Sequence, residues 1–330
     1  MDIALISCSN GYGHVRRLLL LSQELISKSN HVVLFAPLNF VKRIKETAGI
    51  NYCPDVVNFD TETNIDRWLC GEKFDWHKRI PSLENFDIVV SDNLIDVLEV
   101  RDDAWLSGSF FWHEIIHNFP LKLKNYYQNL LLKHNPRMIS SSYFSQSYLS
   151  SYVQLYEVGL YGDSSYCSDS TKKKDALISC GIGGKILEDT REFISYLSTL
   201  EKTPFRKVWV EPSLYPKDAP SWMVKATFTT KMFDSLLVSI IRPGVGTVTD
   251  SLLSCVKIFS FFEQNNIEMQ KNLLFLEEYK LGAYSSNIEQ AWLDSLEYFD
   301  NKKEQNIFHK AVNKIEVNGE KKAAEILLSK

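Results

Sequence analysis

The chain has 330 residues, of which 45% are hydrophobic and 24% charged, with a formal net charge of -4. At roughly 150 residues per domain, that length favours two domains, each able to bury its own core. The weak acidity gives no electrostatic case for a nucleic-acid partner, and the longest apolar runs, such as LLVSII at 236–241, fall far short of the ~20 residues of a membrane span.

The N-terminal MDIALISCSN lacks a basic segment and has too short an apolar core for a signal peptide, so it reads as a first strand. DIALISC (2–8) is compact and apolar, as buried strands are, and VRRLLLLSQELISKS (15–29) has helical length and period. HVVLFAP (31–37) is the next strand, and FVKRIKETAG (40–49) a helix closed by a glycine. FDIVVSD (86–92) is a strand, LKLKNYYQNLLLKHN (121–135) an amphipathic helix, and RMISSS (137–142) a strand.

The polar stretch GLYGDSSYCSDSTKKKD (159–175) breaks this rhythm and is the expected linker. The pattern then restarts. Strands are expected at 176–181, 207–212, 225–230, 236–241 and 256–262, with helices near 185–200, from about 246, and over 266–280. Residues 301–330 read as terminal helices. Strands alternating with helices imply parallel sheets covered on both faces. The expected division is a first domain over 1–158, the linker, and a second domain over 176–330, with the terminal helix able to cross back to the first. Two such α/β domains would face a ligand cleft.

Six cysteines stand at 8, 53, 70, 167, 180 and 255, with no Cys-x-x-Cys pair. The pattern suggests reduced thiols and a cytoplasmic protein.

Three loops share one design: SNGYGH (9–14), CGIGGK (180–185) and RPGVGT (242–247) each follow an apolar strand and precede a helix. Glycine admits a ligand close to the backbone, and a helix N-terminus offers amide groups and partial positive charge to an anion such as phosphate. None is a dinucleotide fingerprint, because the third glycine is replaced by Arg16 after GYG and by Thr249 after GVG, and no phosphate-binding P-loop is present. Each loop alone is also ordinary strand-to-helix punctuation.

The segment IRPGVGTVTDSLLSCVKIFSFFEQNNIEMQKNLLFLEEYKLG (241–282) resembles the donor-binding segment of GT-B glycosyltransferases of the MurG-like kind, glycosyltransferase family 28. The matching residues are Arg242, Gly244, Thr247, Asp250, Glu268, Asn272 and Gly282, and GYGHVRR and SCGIGGK resemble the family's other two glycine loops. The resemblance implies a GT-B fold of two Rossmann-like, doubly wound domains. It implies that Gly244, Val245, Gly246 and Thr247 hold the diphosphate of a UDP-sugar, with Gly13, Gly183 and Gly184 in the other loops. Asp250 would accept from the ribose, Glu268 and Gln270 would meet the donor sugar, and Phe228 and Thr229 would hold the base. Arg242 and Asn272 complete the donor set. Two features depart from the family pattern: Glu268 stands where Gln is frequent, and Ser254 to Lys257 replace the usual turn after the helix.

Sugar transfer needs a stabilised leaving diphosphate, a base for the acceptor hydroxyl and exclusion of water. A helix N-terminus at 244–247 would meet the first need, and no Asp-x-Asp-like pair calls for a metal, so neither metal nor cofactor is expected. His14 is the candidate base, since an imidazole accepts a proton near neutral pH. Asp92, at a strand's end, is the second candidate, and Arg17 is a candidate for an acceptor phosphate.

His113-Glu114-Ile115-Ile116-His117 matches the His-Glu-x-x-His zinc signature. A third ligand at the family spacings is missing: Pro120 and Leu123 occupy the positions of the extended form, and the next glutamate is Glu157. The better reading gives His113, Glu114 and His117 to acceptor hydroxyls. The expected partners are a nucleotide sugar and a glycan or lipid-linked acceptor, with peripheral membrane contact through 121–137 open. Two rivals stand beside the transferase. Gly11, Gly13, His14 and Arg17 also resemble the loop of UDP-sugar hydrolases of pseudaminic acid synthesis, and a non-catalytic nucleotide-sugar binder is the third class.

Overall fold

The run Ile3, Ala4, Leu5, Ile6 is wholly buried, and a strand buried on both faces needs helices over each. The computed structural model shows this arrangement twice, in two units that describe residues 1–48, 53–162, 173–181, 185–263 and 266–329. The first unit takes Met1–Gly162 together with Glu316–Lys330, and the second takes Asp163–Ile315.

In the first unit the strands are β1 (Asp2–Ser7), β2 (His31–Ala36), β3 (Asp55–Asn58), β4 (Ile88–Asp92), β5 (Trp105–Ser107), β6 (Arg137–Ser141) and β7 (Gln154–Val158). They form one sheet in the order β3-β2-β1-β4-β5-β6-β7, with parallel pairings throughout. Helices α1 (Tyr12–Ser27), α2 (Leu38–Ala48), α3 (Ile65–Leu69), α4 (Trp112–Ile115) and α5 (Leu121–His134) occupy the crossovers. The order reverses direction between β1 and β4. Ser7 and Asp92 are register partners there, so the loops beyond them diverge from a single point.

One core layer sets Val15, Leu18, Leu19, Leu21 and Leu25 of α1 against β1, β2 and β4. The helix at Gly319–Leu328 belongs to the same layer through Ala323, Ala324 and Leu327. Backbone bonds fix its entry: the Leu160 amide donates to the Glu316 carbonyl, and the Gly319 amide to Leu160 (both 2.8 Å). Residues 159–162, read from sequence as the start of a linker, are thus tied into the first unit. Residues 163–172, including Cys167, lie outside the described residues.

In the second unit the strands are β8 (Asp175–Ser179), β9 (Val208–Val210), β10 (Met223–Lys225), β11 (Leu236–Ile241), β12 (Lys257–Ser260) and β13 (Gly282–Tyr284). Their order is β10-β9-β8-β11-β12-β13, again parallel, with the reversal between β8 and β11. The helices, in chain order, are α6 (Lys185–Leu197), α7 (Thr230–Ser235), α8 (Val245–Leu253), α9 (Ile267–Glu278), α10 (Ile288–Asp300) and α11 (Lys302–Val312), and the returning helix of the first unit is α12.

Three sequence expectations need correction. Helix α1 starts at Tyr12, after Gly11 with φ 122°, so Gly13 and His14 lie in its first turn rather than in a loop. The strand expected at 225–230 is β10, ending at Lys225; Phe228 has φ 52° and Thr229 caps α7 by accepting from the Met232 amide. The thiols are not all reduced: Cys8, Cys53, Cys70 and Cys180 are free, whereas Cys255 is disulfide-bonded.

Candidate active site

The two reversals are the natural ligand positions of doubly wound sheets, and each carries a cluster of the residues singled out above. In the first unit, β4 ends in Asp92, fully buried, and α1 brings its first-turn face over it. His14 Nδ1 lies 2.6 Å from Asp92 Oδ1. Arg17, one turn further along α1, donates from Nε to Asp92 Oδ2 at 2.7 Å and from Nη2 to Oδ1 at 2.9 Å. Ser107, at the end of β5, donates its hydroxyl to Oδ2 at 3.1 Å.

The carboxylate therefore sits in a ring of donors. Burial alone would push its proton affinity up, but the Arg17 charge and the bonds from His14 and Arg17 outweigh this and hold it at about 2, against an ordinary 3.8. An ionised carboxylate only accepts, so Nδ1 of His14 carries a proton toward it, which in the neutral tautomer leaves the lone pair on Nε2. The His14 side chain keeps 11% exposure while Asp92 has none. Trp112 packs beside it, ring centroids 6.0 Å apart.

This geometry revises the sequence reading. His14 and Asp92 form one pair instead of two competing bases. Arg17, expected at an acceptor phosphate, commits two nitrogens to Asp92. Ser107 was not singled out, and nothing in the local sequence marks it.

The loop after β5 is held by Asn93 and Gly108. Asn93 (φ 56°) follows Asp92, and with its amide turned to donate it reaches the carbonyls of Ser107 (3.2 Å) and Phe110 (3.1 Å). Gly108 has φ 145°, and a Cβ there would fall 1.7 Å from the Asn93 side chain.

The His-Glu-x-x-His motif comes apart. Helix α4 ends at Ile115, and Ile116 is extended (φ -77°, ψ 121°), so His113 and His117 do not share a helical face. His113 is buried, stacked between Phe111 and Tyr127 with centroids at 5.7 and 5.5 Å, and burial pushes its proton affinity down to about 4. It is a core residue and is not presented to an acceptor. Glu114 is bonded by Lys124 (2.8 Å) and Gln128 (2.6 Å), and His117 is exposed. Among the described residues, no group of three or more His, Cys, Asp or Glu side chains is arranged to hold a metal.

In the second unit, β11 ends at Ile241, Arg242 and Pro243 turn the chain, and Gly244 precedes α8 with no side-chain cap on that helix end. A Cβ at Gly244 or Gly246 would meet nothing within 4 Å, so both stand at open space. Val245 and Thr247 lie in the first turn, and Asp250 one turn on. Asn272, buried on α9, donates to the Pro243 carbonyl at 2.7 Å and so holds the loop. Arg242 Nη2 is 3.1 Å from Glu263 Oε2. Glu268 lies in the first turn of α9 and is half-buried, and Gln270 is exposed.

Glu211, just beyond β9, accepts from the Ser179 hydroxyl (2.8 Å) and the Gly181 amide (3.2 Å) at the second glycine loop. Glu211 and Glu263 were missed, although an acid at a strand's end was the signal that found Asp92. Gly183 and Gly184 lie outside the described residues.

Two doubly wound parallel-sheet units with a site cluster at each reversal define the GT-B fold, and comparison with solved structures agrees. The chain is similar over 99% of its length to Arabidopsis thaliana UGT89C1 complexed with UDP (98% of that chain, TM-score 0.68, 12% identity). It is similar over its whole length to the spinosyn rhamnosyltransferase SpnG (100% of that chain, TM-score 0.64, 12% identity). It also matches the Streptomyces sp. SF2575 glycosyltransferase SsfS6 complexed with thymidine diphosphate (99% of each chain, TM-score 0.63, 12% identity). No family model and no curated protein sequence matches the chain.

Proposed function

We propose that the protein is a nucleotide-sugar-dependent glycosyltransferase in which His14 is the base. The observation that carries this reading is the His14–Asp92 pair at the reversal of the first sheet, with the imidazole fixed through Nδ1 and Nε2 left to accept a proton. Support comes from the fold, whose similar structures include glycosyltransferases, one of them with thymidine diphosphate bound.

In this reading an acceptor hydroxyl gives its proton to His14 Nε2 as its oxygen attacks the anomeric carbon. The bond from that carbon to the diphosphate oxygen breaks on the opposite face, so the configuration inverts. Asp92 stays ionised and stabilises the imidazolium as it forms, as the aspartate does in a Ser-His-Asp triad. The diphosphate leaves with the bonding pair toward the first-turn amides of α8, whose partial positive charge meets it. That arrangement requires no divalent metal, and turnover in EDTA should match turnover with Mg²⁺. Asp250, Glu268, Gln270, Phe228 and Thr229 are the proposed contacts for ribose, sugar and base, in keeping with the resemblance to MurG-like enzymes.

The acceptor is proposed to be a glycan or a lipid-linked hydroxyl. Exposed Leu121 and Leu132 stand beside exposed Lys122 and Lys133 on α5, as contact with an anionic bilayer would use; co-sedimentation with anionic vesicles at low salt tests this. Among the described residues no helix is long and apolar enough to cross a membrane.

A thermal-shift screen with UDP-, GDP-, dTDP- and CMP-sugars identifies the donor, because only a bound ligand raises the melting temperature. Turnover with and without candidate acceptors follows. Rapid and complete release of free sugar without any acceptor would replace the transferase reading by a hydrolase, with water in the acceptor's place.

A further inference from the structure

The donors around Asp92 are unequal. An ionised carboxylate paired with an imidazole alone favours the protonated ring, because an opposite charge within about 4–6 Å stabilises the charged form. A base that is already protonated in the resting enzyme cannot act. Here Arg17 grips the same carboxylate with two nitrogens, one on each oxygen, and His14 shares Oδ1 with Arg17 Nη2.

We propose that Arg17 is a positioning residue that keeps the His14–Asp92 pair ready to accept a proton. It compensates the Asp92 charge in the resting state and leaves the carboxylate to orient the ring. The inference rests on His14 being the base, and it adds what sets the pH range in which that base works.

Further titratable groups among the described residues stand around the pair. Cys8, buried at the end of β1, is held as a neutral thiol, pushed up to about 11 mainly by burial. Tyr161, just beyond β7, is buried and held neutral by the same cause. Glu320 of α12 lies near Tyr161 and accepts from the Gly162 amide at 2.7 Å. Arg16 neighbours Arg17 on α1 itself. Among the described residues, Arg17 and Ser107 bond Asp92 besides His14, and of those two Arg17 brings charge.

The spacing explains the choice of residue. His14 and Arg17 are three apart on a helix and so share a face, and the fork of an arginine can span both carboxylate oxygens while a lysine cannot. A guanidinium removed from within a few ångströms of the imidazole shifts a proton equilibrium by about one pH unit or more.

The test reads the His14 imidazole by NMR in ¹⁵N-histidine-labelled full-length protein, assigned by the loss of its signals in His14→Gln. In Arg17→Met the midpoint of the imidazole titration should rise by about one pH unit or more, and Arg17→Lys, which keeps the charge, should bring it back at least halfway. Arg17→Gln, which can keep one bond to Asp92 without the charge, takes the place of the Met variant if that does not fold. An unchanged or lowered midpoint in a folded, uncharged variant overturns the proposal. Where turnover is measurable, the acid limb of kcat/KM should move to higher pH by the same amount. If no nucleotide sugar is turned over, the glycosyltransferase reading fails, while the NMR titration still decides the role of Arg17.

Discussion

Replacing Asp92 by Asn tests the centre of the first site through both stability and rate. In the folded protein this carboxyl titrates at about 2, and in the unfolded chain near its ordinary 3.8. At about 1.36 kcal/mol per pH unit, the difference contributes roughly 2 kcal/mol to folding. Because the folded value is the lower one, the contribution is complete above about pH 5 and is lost as pH falls through about 4 to about 2. Asp92→Asn removes it and also leaves the Arg17 guanidinium without its counter-charge, so the cost at pH 7 should be about 3–5 kcal/mol. Urea unfolding followed by tryptophan fluorescence, at pH 7 and at pH 2.5, measures both proteins. The stability gap between them should narrow by about 1.5 kcal/mol at the lower pH, where part of the contribution remains. A gap that is the same at both pH values would refute the claim that Arg17 and His14 hold the carboxylate ionised. The same variant should lose about 10²–10⁴-fold in kcat/KM, since an amide can donate to Nδ1 and select the wrong ring tautomer.

Other predictions concern separate parts of the molecule. His14→Ala should lower turnover by about 10³-fold while leaving the nucleotide-induced rise in melting temperature intact. Asn272→Ala should free the Pro243 carbonyl, cost about 1–2 kcal/mol in stability and weaken nucleotide binding, read by calorimetry with UDP. Gly108→Ala should cost about 2 kcal/mol or more in urea unfolding, because the new Cβ meets the Asn93 side chain and the backbone φ is one that alanine disfavours. Lys257 is buried against Tyr298 and Phe308, and burial pushes its ammonium down to about 8. Lys257→Met should therefore stabilise the protein by about 1–3 kcal/mol at pH 7, the gain shrinking as pH rises from about 8 to about 10.5 and the wild type sheds its buried charge.

The alternation of strand and helix was legible because β1, β2, β4, β8 and β11 are uninterrupted apolar runs between turn residues. The strands DVVN, WLS and GAY (β3, β5 and β13) were not, since three or four residues are too few to show a period. Single side chains at strand ends were legible by position: His14, Asp92 and the loop at Arg242 all flank a reversal. Their partnership was not, because 78 residues separate His14 from Asp92 and only the β1–β4 adjacency brings them together. His113 misled for the opposite reason. Its spacing to His117 fits a helix, but α4 is only one turn long and its histidine belongs to an aromatic core. Arg17 looked like a surface cation awaiting an anion, and its anion turned out to be Asp92.

The return of α12 to the first unit bears on how the protein comes to be made. Helix α1 carries His14 and Arg17 on one face and shares its core layer with Ala323, Ala324 and Leu327. During synthesis more than half of the chain, including the whole second unit, must leave the ribosome before those three residues exist. Until then α1 has an uncovered apolar stripe, and the helix that carries His14 and Arg17 lacks part of its support. A fragment ending at residue 162 would expose that stripe permanently. Expression of the first unit alone should therefore need residues 316–328 supplied as a fused or separate segment, and the unit matures as a joint product of the earliest and latest parts of this sequence.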